Sequence, residues 1–273
     1  MKNLPLSKVK AFTFAAVLGM LAPIAVSQRP ANAQSMAVCP TNATLAAIQA
    51  AASSGCRTTP NLYRITVYRF ALCASEPFTS SGLSSSCVTT FTDTSGRSAT
   101  LYASGAPLSV TMPGSIAPPP GTYKYAAILM GNDMTLNNSY ATSTTIVGTI
   151  YSTSTYGTVK QTAPAEDYVR TINYFGPSNS PTCSAEETMS LGTMKAFILD
   201  SSLSPITISG GTCPGADRIA ARMEMNTPIN ITPKTSALIA TFTVTNNGAT
   251  ISSSGSSIEF DGGPFQVSFT TIE

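Results

Sequence analysis

An all-β protein, built as an antiparallel β-sandwich, is what this sequence predicts, and three observations carry that expectation. Short runs of β-branched, aromatic and aliphatic residues recur between clusters of Ser, Thr, Gly, Asn and Pro, the spacing of an all-β domain. Several of those runs alternate apolar and polar residues with period two, which gives a strand one buried and one wet face. Charged residues make up only 10% of the chain and His and Trp are absent, so a hydroxyl-rich surface must do the hydration that charge usually does.

The first 33 residues are set apart. Lys2, Lys8 and Lys10 form a basic head, Ala11 to Val26 an apolar stretch, and Ala31-Asn32-Ala33 a small-x-small site, the layout of a secretory signal peptide cleaved near Ala33. The apolar stretch is broken by Pro23 and is shorter than the roughly 20 residues of a membrane span, so no integral span is expected after cleavage. Taking Lys2, Lys8, Lys10 and Arg29 from the 15 basic residues leaves 11 against 13 acidic ones, a net charge of −2 in place of +2. No basic patch remains that would neutralise phosphates, which argues against nucleic acid. In an exported chain six cysteines fit three disulfides. Proximity pairs Cys39 with Cys56, Cys73 with Cys87 and Cys183 with Cys213, out of fifteen possible connectivities. Each would stabilise by roughly 3 kcal/mol in the chain-entropy account.

Residues 34–58 are expected to form a helical segment. Thr41 or Asn42 offers an N-cap, the alanine-rich run from Ala43 to Ala52 has high helix propensity, and Gly55 stops it. Leu45, Ile48 and Ala52 share its apolar face. A β-sandwich region follows over 59–163 and a second β-rich region over 164–273, either one large sandwich or two consecutive ones. The expected strands of the first region are Leu62–Cys73, Val88–Thr92, Ala99–Tyr102, Leu108–Met112, Tyr123–Met130, Thr144–Tyr151 and Thr155–Gln161. Glu166–Tyr174 is ambiguous between helix and strand. The second region offers Thr193–Leu199, Ile206–Ser209, Asp217–Met225 and Leu238–Thr245. A hairpin through Asn246-Asn247-Gly248 leads to Ala249–Ser252, and Ile258–Phe260 and Phe265–Ile272 finish the chain. In Asp217–Met225, Ile219, Ala221, Met223 and Met225 form the buried set, and Arg218, Arg222 and Glu224 the wet one. In Leu62–Cys73 the apolar phase flips, from Tyr63, Ile65 and Val67 to Tyr68, Phe70 and Leu72. That predicts a central strand with a bulge near Tyr68-Arg69.

The missing histidines remove most hydrolase triads, zincins and haem ligation. Lys124, Lys160, Lys195 and Lys234 stand among many serines, but none in a Ser-x-x-Lys arrangement. Glu166-Asp167, Glu186-Glu187 and Glu224 are the carboxylates a glycoside hydrolase would need. They read more simply as solvated loops and a wet strand face. Asp133 within Gly131-Asn132-Asp133, and Asp261-Gly262-Gly263, have too few acidic oxygens for a calcium cage and read as turns. No metal and no cofactor is expected. The triplets beginning at Asn42, Asn137 and Asn230 match glycosylation acceptors, but the pattern arises often by chance and the leader has a bacterial look, so they are discounted. Tyr123 and Tyr125 flank Lys124 and are the candidate binding patch, since Tyr gives rigid contact area with a hydroxyl.

In general build the chain resembles secreted β-sandwich modules of bacterial surface and appendage proteins. That resemblance is one of architecture and does not fix function. The hydroxyl-rich, charge-poor composition, the expected disulfides and the missing catalytic constellations point to a non-enzymatic structural or adhesive role in the periplasm, at the cell surface or outside the cell. Its partners would be itself or other surface proteins, joined through strand edges, with the N-terminal arm or Phe265–Ile272 as donor. The alternatives are a periplasmic or secreted binding module for a glycan or small ligand, and a carboxylate-dependent glycoside hydrolase. Intact masses with and without reductant should differ by six hydrogens, one for each of the six cysteines; a smaller shift would mean at least one free thiol.

Overall fold

The computed structural model describes residues 37–40, 42, 44–51, 55–79, 82–103, 106–107, 116–143, 148–176, 180–254 and 257–273. The proposed leader lies outside them, as do the expected strand Leu108–Met112 and the first residues of Thr144–Tyr151. In chain order the elements begin with α1 (Leu45–Ala51), β1 (Cys56–Thr58), β2 (Leu62–Cys73), β3 (Phe78–Thr79), β4 (Gly82–Leu83), β5 (Cys87–Ala103) and β6 (Ala106–Pro107). Next come β7 (Gly121–Asn137), β8 (Ser139–Ala141), β9 (Thr149–Ser152), β10 (Val159–Lys160) and β11 (Tyr168–Thr171). The rest are β12 (Ser184–Met189), β13 (Gly192–Leu199), β14 (Arg218–Ile231), β15 (Ala237–Thr243), β16 (Ala249–Ser254), β17 (Ser257–Gly262) and β18 (Gln266–Ile272). The protein is nearly all β and every strand pairing is antiparallel.

One sheet of eight strands dominates, in the order β12-β13-β14-β7-β2-β5-β6. β11 pairs with the last part of β7, on the edge that β14 occupies further back. Strands from both halves of the chain are therefore joined by hydrogen bonds in a single sheet. Its core face is covered by β15 and β18 and by β1, β16 and β17. Phe242, Phe260, Phe265 and Ile251 pack in one cluster with Tyr63, Ile65, Leu72 and Ile128. The Phe242 and Phe265 rings meet edge-on at 5.6 Å, Tyr63 and Phe265 at 6.0 Å. The buried Tyr63 hydroxyl donates to the Gly263 carbonyl at 2.8 Å, and Gly263 approaches so closely that a Cβ there would lie 1.9 Å from the Asn247 carbonyl oxygen. Three disulfides, Cys39–Cys56, Cys73–Cys87 and Cys183–Cys213, complete the scaffold.

β2 has the expected bounds, is central between β5 and β7, and carries the expected bulge. Its register shifts between Val67 and Arg69 against both neighbours. On the β5 side, Asp93 to Gly96 stand opposite Tyr68 alone, because Val67 pairs with Arg97 and Arg69 with Thr92. The shift carries out the phase change: Tyr63, Ile65, Val67 and Leu72 enter the main core, while Ala71 and Cys73 join a second cluster with Tyr125 and Ala127.

Elsewhere local signals misplace boundaries. Val88–Thr92 and Ala99–Tyr102 are parts of one 17-residue strand, β5, whose polar middle is the bulge and not a turn. Gly131-Asn132-Asp133 is no turn either. It lies inside the 17-residue β7, with Gly131 opposite Arg218 and Asp133 opposite Thr171. The loop between β9 and β10 runs through Thr158, longer than expected. The ambiguous Glu166–Tyr174 piece holds strand β11. Ile206–Ser209 is not a strand, since only isolated bridges flank it, and Glu186-Glu187 sits in strand β12, not a loop. The Asn246-Asn247-Gly248 turn exists, with Gly248 N–H donating to Val244 O at 2.7 Å. It joins two sheets instead of closing a hairpin: β15 pairs with β18, and β16 with β17 and β1. α1 is capped by Thr44, whose Oγ1 accepts from Ala47 N–H at 3.0 Å, and not by Asn42; Thr41, the other expected cap, lies outside the described residues.

Gly96 holds the bulge at φ +79°, and a Cβ there would meet Thr66 Cγ2 at 2.5 Å and the Tyr68 ring at 2.8 Å. Gly96→Ala should lower unfolding free energy by about 1–3 kcal/mol in a denaturant titration. An unchanged midpoint would show that this bulge is not a constrained feature.

Candidate functional site

On the face of the large sheet turned away from the core, register lines up Glu186, Lys195 and Arg222 across β12, β13 and β14. The next row sets Glu224 of β14 beside Tyr125 of β7. Lys124 Nζ lies 2.7 Å from Glu224 and Lys195 Nζ 3.7 Å from Glu186. The hydrogen bond from Lys124 holds the Glu224 carboxyl below its ordinary range. The loop stapled by Cys73 and Cys87 folds back over this face: Glu76 reaches the Arg222 guanidinium at 2.8 Å, and the Phe78 ring meets Phe197 of β13 edge-on at 6.0 Å. That cover explains why Arg222 is only 8% exposed, where alternation alone places it in water.

A second polar cluster sits where three sheets meet. Arg170 of β11 donates through Nε to Asp261 Oδ1 at 2.7 Å, and Tyr156 O–H donates to Oδ2 at 2.9 Å. The Arg170 guanidinium also lies 4.6 Å from the Tyr156 ring centroid. Beside them Asn138 Nδ2 donates to the Tyr168 hydroxyl at 2.6 Å. Burial first, and the negative Asp261 second, raise the phenols of Tyr63, Tyr156 and Tyr168. A third tie runs from Arg57 of β1 to Glu187 of β12, and to Asn247 Oδ1, both at 2.5 Å. All three clusters tie strands or sheets together through ion pairs and hydrogen bonds, although Arg57 Nε, Asn138 Oδ1, Arg222 Nε and Nη1, and Asn247 Nδ2 are buried without a hydrogen-bond partner among the described residues. None presents an unpaired acid and base facing open space.

A cleft of about 220 Å³, mainly apolar, lies between the β15–β18 ribbon and the β2–β5 end of the large sheet. Phe70, Phe91, Phe242, Phe269, Ile231 and Leu238 are among its walls. Among the described residues no tyrosine and no charged residue lines it, and Thr90, Thr235 and Ser236 are its polar lining.

The residues singled out in the sequence are scattered. Tyr123 and Tyr125 do not form one exposed patch: they are 4% and 8% exposed and belong to different clusters. The cause is a register shift in β14 between Glu224, opposite Tyr125, and Ile229, opposite Tyr123, where Pro228 sits as strand prolines do at bulges. The Tyr123 hydroxyl donates to Pro119 O at 2.8 Å. Glu166 is engaged by Lys160 and by Ser154 N–H, which lower its pKa, and Asp167 accepts from Asn137. Glu186 and Glu187 are tied to different partners, Lys195 and Arg57. Asp133 accepts from Thr171 Oγ1, and both Asp261 oxygens are engaged as described. Among the described residues no group of three or more His, Cys, Asp or Glu could hold a metal ion. Asn137 spends its amide on Ala165 O and Asp167; Asn42 and Asn230 are exposed. The Tyr156–Arg170–Asp261 cluster was invisible in sequence, since its members lie up to 105 positions apart and no local pattern links them. No protein-family model, curated protein or solved structure matches the chain.

Two measurements check these assignments. The raised phenols of Tyr63 and Tyr168 contribute stability that is complete below the unfolded pKa, ordinarily 10.0, and is lost as pH rises above it. Stability should therefore decline from about pH 10 upward, with those two phenols ionising only as the chain unfolds. Ten tyrosines titrating together in the folded protein would refute the assignment. For the Arg57 tie, Glu187→Gln should cost about 1–3 kcal/mol by leaving a largely buried guanidinium charge unpaired. A double-mutant cycle with Arg57→Gln that showed no coupling would remove the tie from the account.

Proposed function

We propose that this is a non-enzymatic exported protein with a structural or adhesive role at a bacterial cell surface or outside the cell, assembling through β-strand edges. We read its stacked sheets as a β-sandwich and its first 33 residues as a cleaved leader. The observation that carries the proposal is where the chemistry goes. The paired carboxylates and the basic groups beside them are consumed in ties between strands and sheets, while long strand edges stay unpaired among the described residues. The three disulfides fit an extracellular or otherwise non-cytosolic protein. Among the described residues no helix is long and apolar enough to cross a membrane.

A second reading rests on the apolar cleft. Among the described residues its walls are mainly apolar, with no tyrosine or charged group and only the hydroxyls of Thr90, Thr235 and Ser236. It therefore suits a small, mainly apolar ligand better than a glycan, whose many hydroxyls need polar partners.

Fractionation of cells making the protein, followed by electron microscopy of the mature material, separates the two. The first predicts assemblies or surface-bound material. Only soluble periplasmic monomers, with an apolar fluorophore displaced from the cleft by added ligand, would overturn it in favour of the second.

A further inference from the structure

Resting on the strand-edge reading, we infer that β18 is the assembling edge and that its partner is β18 of a second copy of this chain, paired antiparallel about Phe269. Strand edges are templates for pairing unless charge, proline or cover blunts them. The other long edges are blunted. β12 carries the adjacent Glu186 and Glu187, and Glu186 keeps 57% of its side chain in solvent. β17 carries Glu259 and Asp261, β5 carries Asp93 and Arg97, and the stretch of β14 beyond β13 contains Pro228. The outer side of β15 borders the cleft, where Ile116, Ala117 and Pro118 stand. β18, Gln266-Val267-Ser268-Phe269-Thr270-Thr271-Ile272, has neither charge nor proline over seven residues. Among the described residues it pairs on one side only, with β15, and the one hydrogen bond made by its side chains is at its first residue, where Gln266 Oε1 accepts from the Ser190 hydroxyl at 3.0 Å. Thr270, Thr271 and Ile272 are exposed.

Self-pairing also fits the two faces of the strand. Residues directly opposite in an antiparallel ladder project to the same face, so a two-fold axis perpendicular to the sheet must pass midway between the two copies of one residue. With the axis at Phe269, Ser268 meets Thr270 of the second copy and Gln266 meets Ile272 on the outer face. Val267 meets Thr271 and Phe269 meets Phe269 on the inner face. Hydroxyl pairs and an aromatic pair are favourable cross-strand neighbours, and no like charges meet. The product is a four-stranded ribbon, β15-β18-β18-β15, with an isologous interface that closes at the dimer.

Sedimentation equilibrium of the mature, disulfide-bonded protein, up to about 1 mM, is the test. Wild type should dimerise, and Thr270→Lys, which brings two ammonium groups close to the axis, should weaken the dimer by about tenfold or more at an unchanged melting temperature. Register is read separately. A mixture of Ser268→Cys and Thr270→Cys, each verified by intact mass to keep its three native disulfides, should crosslink to the heterodimer faster than either variant crosslinks with itself. A dimer that ignores Thr270→Lys, or crosslinking with no preference for the mixture, overturns β18 about Phe269 but leaves edge assembly standing. A wild-type monomer at every concentration overturns both.

Discussion

The pairing of β2 with β7 is the constraint on which the rest of the structure depends. From Leu62 opposite Asn137 to Cys73 opposite Tyr125, these two strands form a ribbon that every other large element joins. β5 docks on the free edge of β2, and β14 and β11 share the free edge of β7. Because both ribbon strands shift register near their middle, the ribbon presents one apolar surface continuously to the main core while releasing Ala71, Cys73, Tyr125 and Ala127 to the other side. A strand with strict period two cannot serve one core along twelve residues and also seat a stapled loop behind itself.

Charge is scarce in this molecule and is spent inside its architecture. Arg57, Arg170 and Arg222 each connect an element of the chain to one far away in sequence: β1 to β12, β11 to β17, and β14 to the loop after β2. Each guanidinium has a planar set of donors suited to a carboxylate, and each is largely shielded from water, which raises the cost of losing its partner. Left for solvent is a surface rich in Ser and Thr, whose hydroxyls remain hydrated without drawing ions.

Much of this fold was legible in the sequence, because the informative residues report on their own burial. Tyr63, Ile65 and Val67 followed by Phe70 and Leu72 announce a bulged central strand; nearest-neighbour cysteines announce short crosslinks. What stayed hidden depends on residues elsewhere. Asp93-Thr94-Ser95-Gly96 and Gly131-Asn132-Asp133 have the composition of turns, yet the first is a bulge inside β5 with Gly96 at φ +79°, and the second is held in β7 by pairing with β14 and β11. Asn246-Asn247-Gly248 encodes a reversal of direction but not the strand that follows it into a sheet. Arg222 obeys its alternation and is buried all the same, because a loop 146 positions earlier lies over it. The candidate site suffered most: Tyr123 and Tyr125 share a parity that the shift opposite Lys124 cancels.

The partnership of the earliest strands with the latest has a consequence for how the protein is made. Cys56 lies opposite Ile251, and Tyr63 bonds to Gly263 across 200 positions. A chain that emerges amino-terminus first therefore displays β2, its most apolar strand, long before the residues that cover it exist. Structures dominated by such distant pairings fold slowly, and their exposed strands are prone to misassociate in the interval. The interval before the final third of the polypeptide arrives is thus the one in which β2 is open to misassociation.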